Sequence, residues 1–140
     1  MGAVEFWVPG VPQPQGSKTA FVVKGRAVIV DKNPKLLKPW RAAVTAAARE
    51  AWQGRGQLAG AVSVCLQFRI ERPVSVRREF PSVRPDLDKY VRAVLDGITD
   101  AGCWVDDGQV TDLQASKDYE DRAGVLVRVL SLDEGEGVGQ

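Results

Sequence analysis

No histidine occurs anywhere in this 140-residue chain. That absence excludes Ser-His-Asp and Cys-His catalysis, His-ligated zinc and any nuclease chemistry built on a histidine base. Acid–base work near neutral pH then falls to carboxylates, lysine, tyrosine or metal-bound water. Cysteine is almost as scarce. Cys65 and Cys103 share no C-x-x-C spacing, which argues against a zinc cluster. Cys65 falls in the apolar run 62–70 and is expected to be a small buried hydrophobe. No apolar run approaches the roughly 18 residues that a membrane span needs. The N-terminus also lacks a basic segment followed by an apolar one. A soluble cytoplasmic protein with no membrane partner is the expectation.

Net charge is close to zero, at +1, but it is unevenly spread. Residues 1–85 carry 14 Lys and Arg against 5 Asp and Glu, a net +9, and residues 86–140 carry 5 against 13, a net −8. The basic half suits a phosphate backbone. An ordinary mixed surface would read the same way from charge alone.

The pattern of elements is α+β. Residues 3–8 read as a strand, followed by a Pro/Gly loop. Residues 20–31 read as a β-hairpin turning at Lys24-Gly25. Residues 34–52 read as a helix, with Leu36, Leu37, Trp40, Val44, Ala47, Ala48 and Trp52 at three- and four-residue spacing. Pro39 blurs its start, and Gly54 suits its stop. Residues 61–72 read as the longest strand, and 73–85 as a basic, Pro-bounded loop. A second helix is expected over 86–101, with Val91, Val94, Leu95 and Ile98 inward and Lys89, Arg92 and Asp96 on another side. Strands at 110–117 and 125–130 follow. Two main helices packed on a mixed β-sheet is the fold expected. One domain would span 1–132, with a disordered tail at 133–140.

Four carboxylates stand out, Asp86 with Asp88 and Asp106 with Asp107, on either side of the second helix. Crowded unpaired carboxylates repel, and burying them costs several kcal/mol. An oxygen-ligated cation such as Mg²⁺ relieves that cost. Each pair alone has a plainer reading. Asp86 and Asp88 suit a helix N-terminus, where carboxylates cap free N–H groups, and Asp106 and Asp107 suit a solvated turn. Together they read as a hard-metal site.

The block 84–110 resembles the RusA family of Holliday junction resolvases. The resemblance lies in P-D-x-D at Asp86 and Asp88, a basic residue at Arg92, L-D-G at Leu95 and Asp96, and W-x-D-D-x-Q-V at Trp104, Asp106, Asp107, Gln109 and Val110. The opening Val8 to Lys18 and the later Lys117 agree with it. The family usually carries Lys where this chain has Arg92, and Asn where it has Lys89. The resemblance implies a RusA-like homodimer acting on branched DNA, the four-way junction, in recombination and repair. It implies a Mg²⁺-dependent crossover junction endodeoxyribonuclease that makes paired symmetric nicks, with Mn²⁺ as a substitute ion. It also implies a cytoplasmic setting in a bacterium or in the bacterial host of a phage. On this reading Asp86, Asp88 and Asp107 are the metal ligands, and Asp106 ligates directly or supports them. Arg92 and Lys117 are the catalytic cations that steady charge on the phosphorane.

Lys18, Lys24, Arg72, Arg77, Arg78, Arg84 and Lys89 are candidate DNA contacts, with Arg26, Lys32, Lys35 and Lys38 as further phosphate-contact candidates. For Arg92 an i,i+4 ion pair with Asp88 or Asp96 is the plain alternative. Asp96 reads as a structural acid that orients Arg92. Phe80 is expected as an anchor folded inward, its alternative being a wedge between base steps. The tryptophans are expected in the core or a dimer interface. Two other functions stay open. One is a non-catalytic junction-binding accessory protein, the other a metal-dependent nucleotide or RNA phosphohydrolase.

Overall fold

The computed structural model describes residues 3–16, 18–31 and 34–133. In chain order these form β1 (Val4–Pro9), β2 (Lys18–Val23), β3 (Arg26–Asp31), α1 (Pro34–Ala51), β4 (Val62–Ile70) and α2 (Leu87–Asp100). A 3-10 turn (Asp107–Gln109), β5 (Val110–Tyr119) and β6 (Gly124–Ser131) complete it. The architecture is α+β, and the chain order is the one its periodicities predict. Four strands make one mixed sheet in the order β1-β6-β4-β5. β4 and β5 are parallel, while β4–β6 and β6–β1 are antiparallel. Parallel neighbours need a crossover, and α2 with its acidic turn forms it. The hairpin β2–β3 stands as a separate two-stranded sheet. Its two-residue turn puts Lys24 at φ 50° and Gly25 at φ 77°, left-handed geometry that suits the twist of paired strands.

Alternation builds the core. Side chains on a strand point to opposite faces with period two. Val62, Val64, Leu66 and Phe68 of β4 are therefore buried, as are Val125, Val127 and Val129 of β6. Leu37, Trp40, Val44 and Ala48 of α1 and Val91, Val94 and Ile98 of α2 are also buried in this core. The same alternation corrects one expectation, because Cys65 belongs to the opposite set on β4 and is only half-buried. Leu36 is also corrected. It is 55 % exposed, lying just off the apolar stripe, and Thr45 is buried in its place. α1 begins at Pro34 and runs through Pro39.

The helices meet closely at Gly97. A Cβ there would lie 2.7 Å from Val44 Cγ1. Thr45 Oγ1 donates to the Gly97 carbonyl at 2.9 Å, which binds the two helices at that point. Gly102, at φ +81°, follows α2, as its position predicts. Trp40, Trp52 and Trp104 are core residues. Trp7 instead lies beneath the guanidinium groups of Arg69 and Arg122. Asp133 is tied down, accepting from the Ala61 N–H at 2.6 Å. Residues 134–140 of the expected tail lie outside the described residues.

Candidate active site

α2 opens the site. Asp86 is its N-cap residue, with extended backbone at φ −67° and ψ 144°, but its carboxylate makes no capping hydrogen bond. The plain capping reading therefore does not account for Asp86. It is exposed, and Lys89 Nζ stands 4.0 Å away. Asp88 is exposed in the first turn. Arg92 follows one turn later, about 6 Å along the axis and on the same side. Among the described residues no ion pair joins Arg92 to Asp88 or Asp96. The exposed guanidinium is not consumed by a helical salt bridge.

Lys117 reaches this end of α2 from β5. Its Nζ donates to the carbonyls of Val83 (2.7 Å) and Pro85 (2.8 Å). An ammonium has three donors, so two hold the segment entering Asp86 and one remains. The half-buried Lys117 thus fixes the approach to the first Asp pair.

The second pair sits on a braced turn. Gln109 Oε1 accepts from the N–H groups of Val105 (2.8 Å) and Asp106 (3.1 Å). Its Nε2 donates to the carbonyls of Leu58 and Gly60, both at 2.9 Å. Four bonds from one side chain lock the turn to the segment before β4. Sequence reading recorded Gln109 only as a motif match. Its spacing three residues after Asp106 is the capping-box signal that would have found its role. A Cβ at Gly108 would lie 2.7 Å from Asp106 Oδ2, so a side chain there would displace that carboxylate. Beneath the turn, fully buried Trp104 donates from Nε1 to Thr99 Oγ1 at 2.7 Å, and Thr99 donates to the Leu95 carbonyl at 2.9 Å. The acidic turn is therefore anchored to α2.

Electrostatics report which groups meet. Partial desolvation pushes the Asp107 carboxyl above the usual carboxylate range, and Asp106 and then Asp96 add to it; Arg92 pulls the other way. The exposed Asp107 is thus near enough to α2 to feel the charges of both Arg92 and Asp96. The Asp96 carboxylate in turn accepts a hydrogen bond from Gln15 Nε2. Asp96, expected to orient Arg92, makes no ion pair with it and meets Gln15 instead; Gln15 was not among the predicted site residues, and no local pattern marks a contact between segments so far apart in sequence. Among the described residues, no three acidic or thiol side chains gather closely enough to hold an ion. Asp86 and Asp88 stand at the helix end and Asp106 and Asp107 at the turn.

The basic candidates are dispersed. Arg72 lies over the Tyr119 ring at 5.1 Å, and Arg78 donates to the Tyr119 hydroxyl at 2.8 Å. Arg78, Arg84, Lys117, Tyr90 and Tyr119 line a cavity of about 160 Å³ beside the entry to Asp86. Arg77 and Arg84 are exposed in the same loop, and Lys24 is exposed at the hairpin tip. Lys18 begins β2, but its side chain and all of Lys32 lie outside the described residues. Phe80 corrects an expectation. It is 59 % exposed, not folded inward. A short Pro-bounded loop that runs over the surface offers it no core to enter.

Crowded carboxylates on a turn beside a helix that bears Lys89 and Arg92 suit metal-assisted cleavage of a phosphodiester. The family described as Endodeoxyribonuclease RusA matches residues 9–130, and the chain belongs to that family. A relative from Bacillus subtilis (strain 168), the uncharacterized protein YqaN, is 30% identical over 148 aligned residues, covering 94% of this chain and 99% of that protein. No described helix is long and apolar enough to cross a membrane.

Proposed function

We propose that this chain is a Mg²⁺-dependent endonuclease that resolves four-way DNA junctions by paired symmetric nicks and works as a homodimer. The observation that carries the reading is the acidic turn braced against the Arg92 face of α2. Family membership supports the nuclease class.

The residues fit a hard cation in their chemistry. The donors are exposed carboxylate oxygens, and negative charge is crowded around Asp107; the chain has no imidazole, and Cys103, the sulfur nearest in sequence, is fully buried. Mg²⁺ keeps several waters and takes only one or two protein carboxylates. Asp86, Asp88 and Asp107 would hold it, one or two of them directly and the rest through its waters, with Asp106 beside them, and Mn²⁺ would substitute. When bound, the ion supplies Lewis acidity and offsets phosphate charge. Arg92 then donates to the phosphate oxygens as negative charge builds there. Lys117 holds the Asp86 segment through two carbonyls and has one N–H left for the same purpose. Arg77, Arg78, Arg84 and Lys89 follow the DNA backbone, with Arg72, Lys18 and Lys24 further out. Exposed Phe80 is free to wedge into an unstacked junction centre. A two-fold dimer offers two identical sites to a two-fold substrate, which paired nicking requires.

The test is a labelled synthetic four-way junction with Mg²⁺, against linear duplex and free nucleotides. Junction-selective paired nicking is expected. Asp86→Asn, Asp88→Asn and Asp107→Asn should each nearly abolish it while gel-shift binding in EDTA persists, because no phosphate-binding cation is lost. Turnover of free nucleotides in preference to the junction would replace this reading with a phosphohydrolase. Binding without any cleavage would leave an accessory protein.

A further inference from the structure

The Pro-rich loop before β2 lies along α2 and touches it at successive turns. Gln15 N–H donates to the Lys89 carbonyl at 2.9 Å. Gly16, at φ +104°, comes next against Arg92, where a Cβ would lie 3.5 Å from Nη1, 3.7 Å from Cδ and 3.8 Å from Cζ. One turn further, the Gln15 side-chain amide meets the Asp96 carboxylate. Gln15 Oε1 is buried with no hydrogen-bond partner. The loop therefore leaves one acceptor unpaired in order to put a donor on Asp96.

Asp96 lies four residues after Arg92 on the same helix, the spacing at which a carboxylate and a guanidinium pair readily. They do not pair here. Among the described residues, the one side chain that donates to the Asp96 carboxylate is Gln15, whose amide bonds its Oδ2. Gly16 is required by its backbone, since any other residue at that φ would be strained, while a Cβ there would meet the guanidinium at ordinary van der Waals distance.

We propose that Gln15 is a positioning residue: its side-chain amide occupies the Asp96 carboxylate, and so keeps Asp96 from capturing Arg92. The inference rests on the junction-cleaving reading only for its consequence in catalysis; the competition for Asp96 stands without it.

Gln15→Leu keeps the bulk and removes the donor. It should slow single-turnover junction cleavage about tenfold or more, the range for a hydrogen bond to a charged group. Junction affinity in EDTA should change by less than about twofold, since no phosphate contact is removed. Adding Asp96→Asn to Gln15→Leu should recover most of the lost rate, because a neutral amide cannot capture the guanidinium. A merely structural Gln15 would not be rescued by altering a second residue. The Arg92 Nε–H resonance gives a readout independent of catalysis. It should shift in Gln15→Leu and return toward its original position in the double variant. A thermal melt checks folding, and Gln15→Ala serves if Gln15→Leu is unfolded. Inactive wild-type protein would overturn the nuclease reading while the Arg92 resonance still tests the competition. An Arg92 resonance unmoved by the loss of Gln15, or a double variant no better than the single, overturns the role of Gln15.

Discussion

Arg92 is the residue on which most of the chemistry converges. It follows Asp88 by one helical turn, is held by no helical ion pair among the described residues, and its charge acts on Asp107. Arg92→Ala should slow cleavage by about 10²-fold or more if it stabilises the transition state, with a smaller loss of binding. Arg92→Lys should keep substantial activity, because a cation at that place is what the chemistry needs. Wild-type rates from Arg92→Ala would reduce the residue to a surface charge. Asp107 makes a separate prediction in pH. Its folded pKa is raised, so the unfolded chain ionises first as pH increases. The ionised group therefore destabilises the metal-free fold above its folded pKa, and the penalty is relieved as pH falls through it. Cation binding needs the ionised form, so Mg²⁺ affinity should begin to fail at a higher pH than an ordinary aspartate would cause. Asp106→Asn removes a neighbouring charge and should move that failure to lower pH, measured by Mg²⁺ titration against pH. An unchanged profile would show that Asp106 does not influence Asp107.

At the scale of elements, what was legible in the sequence was local. The Lys24-Gly25 turn, the apolar spacing of Val91, Val94 and Ile98, and the Gly102 stop all lie within a few residues of what they determine. Reading 62–70 as a continuous apolar run misplaced Cys65, while strict alternation would have turned it outward. The brace from Gln109 to Leu58 and Gly60, the Gln15 bond to Asp96 and the parallel pairing of β4 with β5 join distant segments, and no local period carries them. The Asp pairs were visible as chemistry, but that the charges of Arg92 and Asp96 both act on Asp107 was not. Gly97 belongs to the same class, its reason lying on the other helix. Gly97→Ala gains about 1 kcal/mol of helix propensity but drives a methyl into Val44, which lies close at both Cβ and Cγ1. Overpacking costs about 1–3 kcal/mol, so a net loss of up to about 2 kcal/mol is expected in urea unfolding. Val44→Ala should make the Gly97 change less damaging in the double variant. A Gly97→Ala protein as stable as wild type would mean that α1 and α2 separate without cost.

Across the whole molecule, a basic N-terminal half is folded against an acidic C-terminal one, as the loop of Gln15 and Gly16 on α2 exemplifies. Near-neutral net charge therefore conceals a polar distribution, and DNA affinity should follow local cations rather than the total. Each neutralised phosphate contributes about −0.9 to the slope of log K against log salt. A dimer with roughly 6–10 contacts would lose about 10³–10⁵ in junction affinity between about 50 and 200 mM salt. Arg77 and Arg78 discriminate well, because both lie in the exposed loop that leads to Asp86. They are not equivalent. Arg78 is already bonded to the Tyr119 hydroxyl, whereas no protein hydrogen bond to Arg77 occurs among the described residues. Arg77→Ala should lower the slope by about one unit per protomer contact. Arg78→Ala should lower it less and also loosen the loop from β5, which limited proteolysis within 73–85 would register. Salt titrations of the two single variants separate these effects. Equal slopes in wild type and Arg77→Ala would make this loop a solvated connector and move recognition to the hairpin and α1 cations.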